Sequence, residues 1–153
     1  MTDSYPALAL YVGGQWLEAA SGGVRPVINP ATAAEMASLP MAGPTELTAA
    51  AESARRGFET WRRVRPHDRY LVLRRAAQLM RERANSMATV LTLEQGKPIA
   101  EARREVTLSA DIVDFQAEEG KRLYGRSVAP RVDGILSHAV QRVPVGPVAA
   151  FTP

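Results

Sequence analysis

The run Val145-Gly-Pro-Val-Ala-Ala-Phe-Thr-Pro153 constrains the fold of this chain more than any other stretch. A short apolar segment bounded by Gly146-Pro147 and Thr152-Pro153 predicts a strand buried on both faces, the kind found in parallel sheets. Such a strand needs partner strands and a crossover element to satisfy its backbone and cover its faces. The expectation is therefore an α/β protein, of which this chain is the front part.

Composition bounds the alternatives. The 153 residues are 46% hydrophobic and 23% charged, as expected of an ordinary globular chain. There are no cysteines, which removes disulfides, thiolate metal sites and a cysteine nucleophile from these residues. No apolar run approaches the ~20 residues of a membrane span, and residues 1–12 lack the pattern of a secretion signal, so a cytoplasmic location is expected. Net charge is +3, and only Lys97 and Lys121 among the 19 basic residues are lysines. Arginines cluster between Arg55 and Arg83, but Glu52, Glu59, Asp68 and Glu82 interleave with them. That mixture predicts solvated helix faces with weak ion pairs rather than a nucleic-acid footprint.

Three blocks follow one another along the chain. In the first, Gly13-Gly14 lies between apolar segments in Leu10-Tyr-Val-Gly-Gly-Gln-Trp16, a hairpin signal because glycine supplies positive φ. Residues 24–29 and 36–39 predict two more strands, joined by the turn Asn29-Pro-Ala-Thr32. The second block is helical. Pro44 and Pro66 suit first helical positions, and Glu46 lies near the positive end of its helix dipole. Apolar residues recur at helical spacing: Leu47, Ala50, Ala54, Phe58 and Trp61, then Tyr70, Leu73, Ala77 and Met80. A third helix is expected over 85–95, ended by Gly96, and Pro98 starts a fourth that buries Ile99, Ala102, Val106, Ile112 or Val113, and Phe115 and stops near Gly120. In the last block Asp133-Gly134 predicts a hairpin turn between Val132 and Ile135. Residues 135–143 alternate like a strand with one wet face and lead to the buried strand.

Five of these pieces occur in the order and spacing of one family: Tyr11-Val-Gly-Gly-Gln-Trp16, Ile28-Asn-Pro-Ala-Thr32, Phe58-Glu-Thr-Trp61, Leu93-Glu-Gln-Gly-Lys-Pro98 and the run from Val145 to Pro153. The chain resembles the aldehyde dehydrogenase superfamily from about Tyr11 onward. Lys97-Pro98 together with Glu118-Glu-Gly-Lys-Arg-Leu-Tyr-Gly125 is most similar to the succinate-semialdehyde branch. The resemblance implies an N-terminal portion of that fold: residues 1–124 as the front of an NAD(P)-binding domain, 125–144 as a bridging arm for homo-oligomers, and 145–153 as the first strand of a doubly wound cofactor sheet. It implies NAD or NADP as cofactor and oxidation of an aldehyde, such as a semialdehyde, to the acid. In the family a thiolate attacks the aldehyde, hydride passes to the nicotinamide and a glutamate-activated water cleaves the thioester. The family's Asn, Glu and Cys lie beyond residue 153, so no catalytic residue is assigned here and the chain alone is expected to be inactive.

Phe151, Thr152 and Pro153 are the cofactor-proximal candidates, because ligands of open α/β sheets bind outside the carboxyl ends of strands. Lys97, between a helix-ending Gly and a helix-starting Pro, reads as a structural loop residue rather than a Schiff-base lysine. Glu94, Glu101 and Glu105 read as solvated or ion-paired carboxylates. No metal site is assigned, although the resemblance leaves open a monovalent cation near the Val27 or Ile28 carbonyl and Glu105. His67 and His138 have no metal-ligand companion in the sequence. Phe115 reads as core, and Trp16 and Trp61 as hydrophobic anchors. Two other readings stay open: a non-enzymatic interaction module whose helices fold alone and whose arm pairs with another chain by strand addition, or a degenerate product that pairs with other subunits.

Overall fold

The structure is a computed structural model and describes residues 5–151. The first block forms two antiparallel hairpins. Strands β1 (Leu10–Val12) and β2 (Gln15–Leu17) pair with Tyr11 opposite Trp16, whose rings lie 4.7 Å apart. Gly13 and Gly14 between them have φ of 61° and 87°, the two left-handed residues that a tight hairpin turn requires. Strands β3 (Val24–Ile28) and β4 (Glu35–Pro40) pair with a bulge between Val27 and Ile28. Asn29 organises their connection: its side-chain oxygen accepts the Ala31 N–H at 2.8 Å and its carbonyl accepts the Ala33 N–H at 2.8 Å.

Four helices follow at the expected places: α1 (Pro44–Trp61), α2 (Pro66–Glu82), α3 (Ala84–Gln95) and α4 (Ile99–Glu119). Proline opens α1 and α2, where the missing N–H costs nothing. Gly96 ends α3 at φ 74°, donating its N–H to the Thr92 carbonyl at 2.8 Å. Glu46 does more at the start of α1 than complement the dipole. Its carboxylate accepts the Gly43 N–H at 2.8 Å, the Ser21 N–H at 3.1 Å and the Ser21 hydroxyl at 2.6 Å, fastening the loop before β3 to the helix.

Helix α4 packs against both α2 and α3. The buried side chains are Ala77, Ala88, Ala102, Val106, Ala110 and Ala117, so small residues let the helix backbones approach closely. Arg81 reaches across from α2 to Asp111 at 2.6 Å and Asp114 at 2.7 Å on α4, and Arg74 to Asp114 at 3.3 Å. Each such half-exposed pair is worth only ~0–1 kcal/mol, so the alanine contact sets the geometry and the pairs orient it.

Several apolar residues expected inside are exposed. Residues 102, 106, 110 and 117 face α2 and α3, whereas Ile112 and Phe115 belong to a second apolar stripe with Leu108, and Phe115 is 62% exposed. Two residues' separation turns a helix through roughly 200°, so Ala110 and Ile112 cannot share a face. Ile99 is likewise exposed, and α1, which packs on β1, buries none of its residues completely, leaving Trp61 at the surface.

Beyond α4 the arm pairs β5 (Arg126–Val128) with β6 (His138–Val140), antiparallel with Ser127 opposite Ala139. Asp133-Gly134 forms a turn, with Gly134 at φ 84°, but it caps a broad loop over 129–137 rather than joining the strands directly. The expected strand over 135–143 shrinks to three exposed residues. Residues 145–151 form no strand: among the described residues no strand pairs with them, and Val145, Val148 and Phe151 are exposed. A doubly buried strand forms only where neighbours satisfy its backbone. No described helix is long and apolar enough to cross a membrane.

Candidate functional site

Of the cofactor-proximal candidates, Phe151 ends the described 145–151 segment. This segment brings one aromatic ring, Phe151, which is 95% exposed, and no charged side chain. Thr152 and Pro153 lie outside the described residues. A dinucleotide needs backbone N–H groups or cations at its phosphates, so this segment offers at most one wall of such a site.

The α3–α4 junction is the most structured polar region. Gly96 lies against Pro30 of the β3–β4 turn, where an added Cβ would stand 3.1 Å from Pro30 Cγ. Lys97 is half-buried and ion-paired with Glu105 one turn and more into α4. That pairing makes Lys97 a brace across the junction, in keeping with its reading as a loop residue and not as a nucleophile. It also engages Glu105, one of the groups considered for a monovalent cation. Glu94, at the end of α3, accepts the Tyr5 hydroxyl proton, and burial followed by this carboxylate pushes the Tyr5 pKa up to about 12. Together they pin the segment before β1 over a groove of about 580 Å³ lined by Met80, Met87, Val90, Leu91 and Val106.

The histidines stay apart. His67 stacks on Tyr70 with centroids 5.8 Å apart, and His138 lies in exposed β6. Among the described residues no group of three or more His, Asp and Glu side chains is placed to hold a metal ion. The arginine cluster is largely paired: Arg56 with Glu52, Arg62 and Arg63 with Glu59, Arg65 with Asp68, Arg75 with Glu82. Phe115 lines neither the core nor the α3–α4 groove.

Two connections were not anticipated from the sequence. The spacing of Gly43 and Glu46 is that of a helix cap whose third residue reaches back, which signals half of the Ser21–Glu46 clamp. Nothing in the sequence pattern signals the Tyr5–Glu94 contact, whose partners are 89 residues apart.

No set of nucleophile, base and oxyanion donors converges among the described residues. What converges is a scaffold: hairpins fixed to α1 by Glu46, a helical bundle, and an arm and tail with their polar backbone exposed. The comparisons with known proteins fit that description. Residues 16–153 match the family described as the aldehyde dehydrogenase family. The chain is 39% identical over 152 residues to a 4-(hydroxymethyl)benzenesulfonate dehydrogenase of Comamonas testosteroni, covering 99% of this chain and 32% of that protein. It is 38% identical over 142 residues to the NADP(+) succinate-semialdehyde dehydrogenase of Escherichia coli K12, covering 93% of this chain and 29% of that protein. The crystal structure of succinate-semialdehyde dehydrogenase from Burkholderia pseudomallei superimposes with a TM-score of 0.79 at 34% identity, over 85% of this chain and 27% of that one. The chain thus spans about a third of the length of the curated relatives it matches. Its motifs, its α/β architecture and the family match over residues 16–153 agree, and the chain belongs to the aldehyde dehydrogenase family.

Proposed function

We propose that this chain is the front portion of an NAD(P)-dependent aldehyde dehydrogenase that oxidises an aldehyde, in particular a semialdehyde such as succinate semialdehyde, to its acid in the cytoplasm. The observation that carries this reading is the family match over residues 16–153, joined to 38% identity with an NADP(+) succinate-semialdehyde dehydrogenase. Residues 1–124 form the front of the cofactor domain, 125–144 the bridging arm, and 145–153 the first strand of the cofactor sheet. Phe151, Thr152 and Pro153 stand beside the cofactor at that strand's end. The exposure of every residue in β5 and β6 supports a role for the arm in homo-oligomers, since its outer edges have no partner among the described residues. When bound, the nicotinamide cofactor accepts the hydride. These 153 residues contribute shape and no thiolate.

Replacing the matching segment of the Escherichia coli enzyme with residues 1–153 of this chain tests the reading. The chimera is expected to assemble and form NADPH from succinate semialdehyde and NADP+, while the 153-residue chain alone forms none. A folded chimera of native oligomeric size without turnover, or turnover by the chain alone, contradicts it.

A further inference from the structure

A groove of about 560 Å³ opens where the end of α1, the start of α2, the residues after α4 and the 142–146 segment meet. Its charged lining is entirely cationic: Arg62, Arg69, Lys121 and Arg142. Its apolar lining includes two aromatic rings, Phe58 and Trp61, and Trp61 is 42% exposed. A second groove, lined by Arg74, Arg75 and Arg81, is also cationic, but all three of its arginines are paired with Asp111, Asp114 or Glu82, whereas Arg69 and Arg142 have no acidic partner among the described residues. The acids nearest in contact do not enter the lining: Glu59 holds Arg62 only at 3.9 Å, and Glu118 holds Lys121 from the α4 side at 2.7 Å. Arg69 is fixed by donating to the Val64 carbonyl at 2.7 Å, and Arg62 lies with its guanidinium 5.1 Å from the Phe58 ring centre. Arg142 is exposed and has no ion-pair partner among the described residues. Helix α2 begins at this groove with Pro66 in the lining, and Asp68 in its first turn, held by Arg65 at 2.7 Å, offsets the positive end of its dipole.

From this arrangement we infer that the groove between α1, α2 and residues 142–146 is a binding site for a small anion carrying a flat apolar body, the chemistry of an aryl phosphate or a nucleotide. The anionic end pairs with Arg142, with Arg69 adding charge beside it, while Lys121 is engaged by Glu118 and lies 3.7 Å from the Tyr70 ring centre; the flat body stacks on Trp61. Cations lining a concave surface focus the field on an anion, and an aromatic face gives the apolar part a place that water does not compete for. An inorganic anion gains only the first contribution and a neutral arene only the second. The groove does not include Phe151.

The chain contains two tryptophans, Trp16 and Trp61, so the Trp16→Phe variant reports on Trp61 alone. In that background 4-nitrophenyl phosphate is expected to quench fluorescence saturably, whereas neutral 4-nitrobenzyl alcohol quenches linearly and weakly. Adenosine monophosphate and inorganic phosphate are then added as competitors. Displacement by the nucleotide at lower concentration than by phosphate identifies a nucleotide-like ligand, and displacement by neither below millimolar levels identifies an aryl phosphate preference. Arg142→Ala should weaken the phosphate probe by about tenfold, the usual effect of losing one charged hydrogen bond, with circular dichroism unchanged. Arg142→Lys should restore part of the loss. Equal quenching by the charged and neutral probes in the Trp16→Phe background, or an unaltered affinity when Arg142→Ala is added to it and the protein stays folded, overturns the assignment.

Discussion

Helices α2, α3 and α4 bury their contacts within the chain, whereas every described residue from 125 to 151 is exposed except the half-buried Gly146. Both regions are rich in apolar side chains. The difference is what the apolar groups meet. In the bundle, Ala77 on α2, Ala88 on α3 and Ala102, Ala110 and Ala117 on α4 have no surface left, because each helix covers another. In the arm and tail, Val128, Leu136, Val145 and Val148 face outward on short strands and irregular chain with unpaired edges. One region is covered by its own helices, and the other leaves its apolar groups exposed.

Overpacking the bundle should produce the largest effect. Ala110→Leu forces methyl groups into a contact with no free surface and should cost ~1–3 kcal/mol, read from the urea midpoint. Gly96→Ala comes next. Gly96 is left-handed at φ 74° and faces Pro30, so an added Cβ should cost about 1–2 kcal/mol, measured as a lowered melting temperature. The Glu46 clamp gives a smaller, pH-dependent effect. Hydrogen bonds from Ser21 and then Gly43 hold its pKa down from 4.5 to about 2. A depressed carboxyl pKa stabilises the fold above its ordinary value, and that stability is lost as pH falls from about 4.5 through about 2. Glu46→Gln should therefore lower the melting temperature at pH 7, with the gap to the unmodified chain closing by pH 2. Smallest of all, Leu136→Ser in the fully exposed arm loop should change stability by less than about 0.5 kcal/mol. A large loss there would mean that the arm is packed and would break the comparison.

The parts legible in the sequence are those fixed by local chemistry. Gly13-Gly14 turned the chain, Pro44, Pro66 and Pro98 set helix starts, and Gly96 set a helix end, because each acts through its own backbone torsions. Which face of a helix is buried depends on neighbours distant in sequence. Thus α4 presents two apolar stripes, and size favoured Ile112 and Phe115 as core while the bundle selected the alanines. The Tyr5–Glu94 and Lys97–Glu105 contacts follow from that packing and have no local signature. At the candidate site, residues 145–151 carry the apolar pattern of a strand, but no described strand pairs with them and they form none. The basic-aromatic groove joins residues from four separate stretches, which no spacing rule brings together.

Hydrogen exchange compares the two regions most directly, with the 153-residue chain measured alone and within the Escherichia coli chimera. Slow exchange is expected for α2, α3 and α4 in both proteins. Fast exchange is expected over 126–151 in the chain alone, and protection of those amides in the chimera. Protection of 126–151 in the isolated chain, or its absence in an assembled chimera, would contradict the proposal that the rest of a dehydrogenase completes the arm and tail.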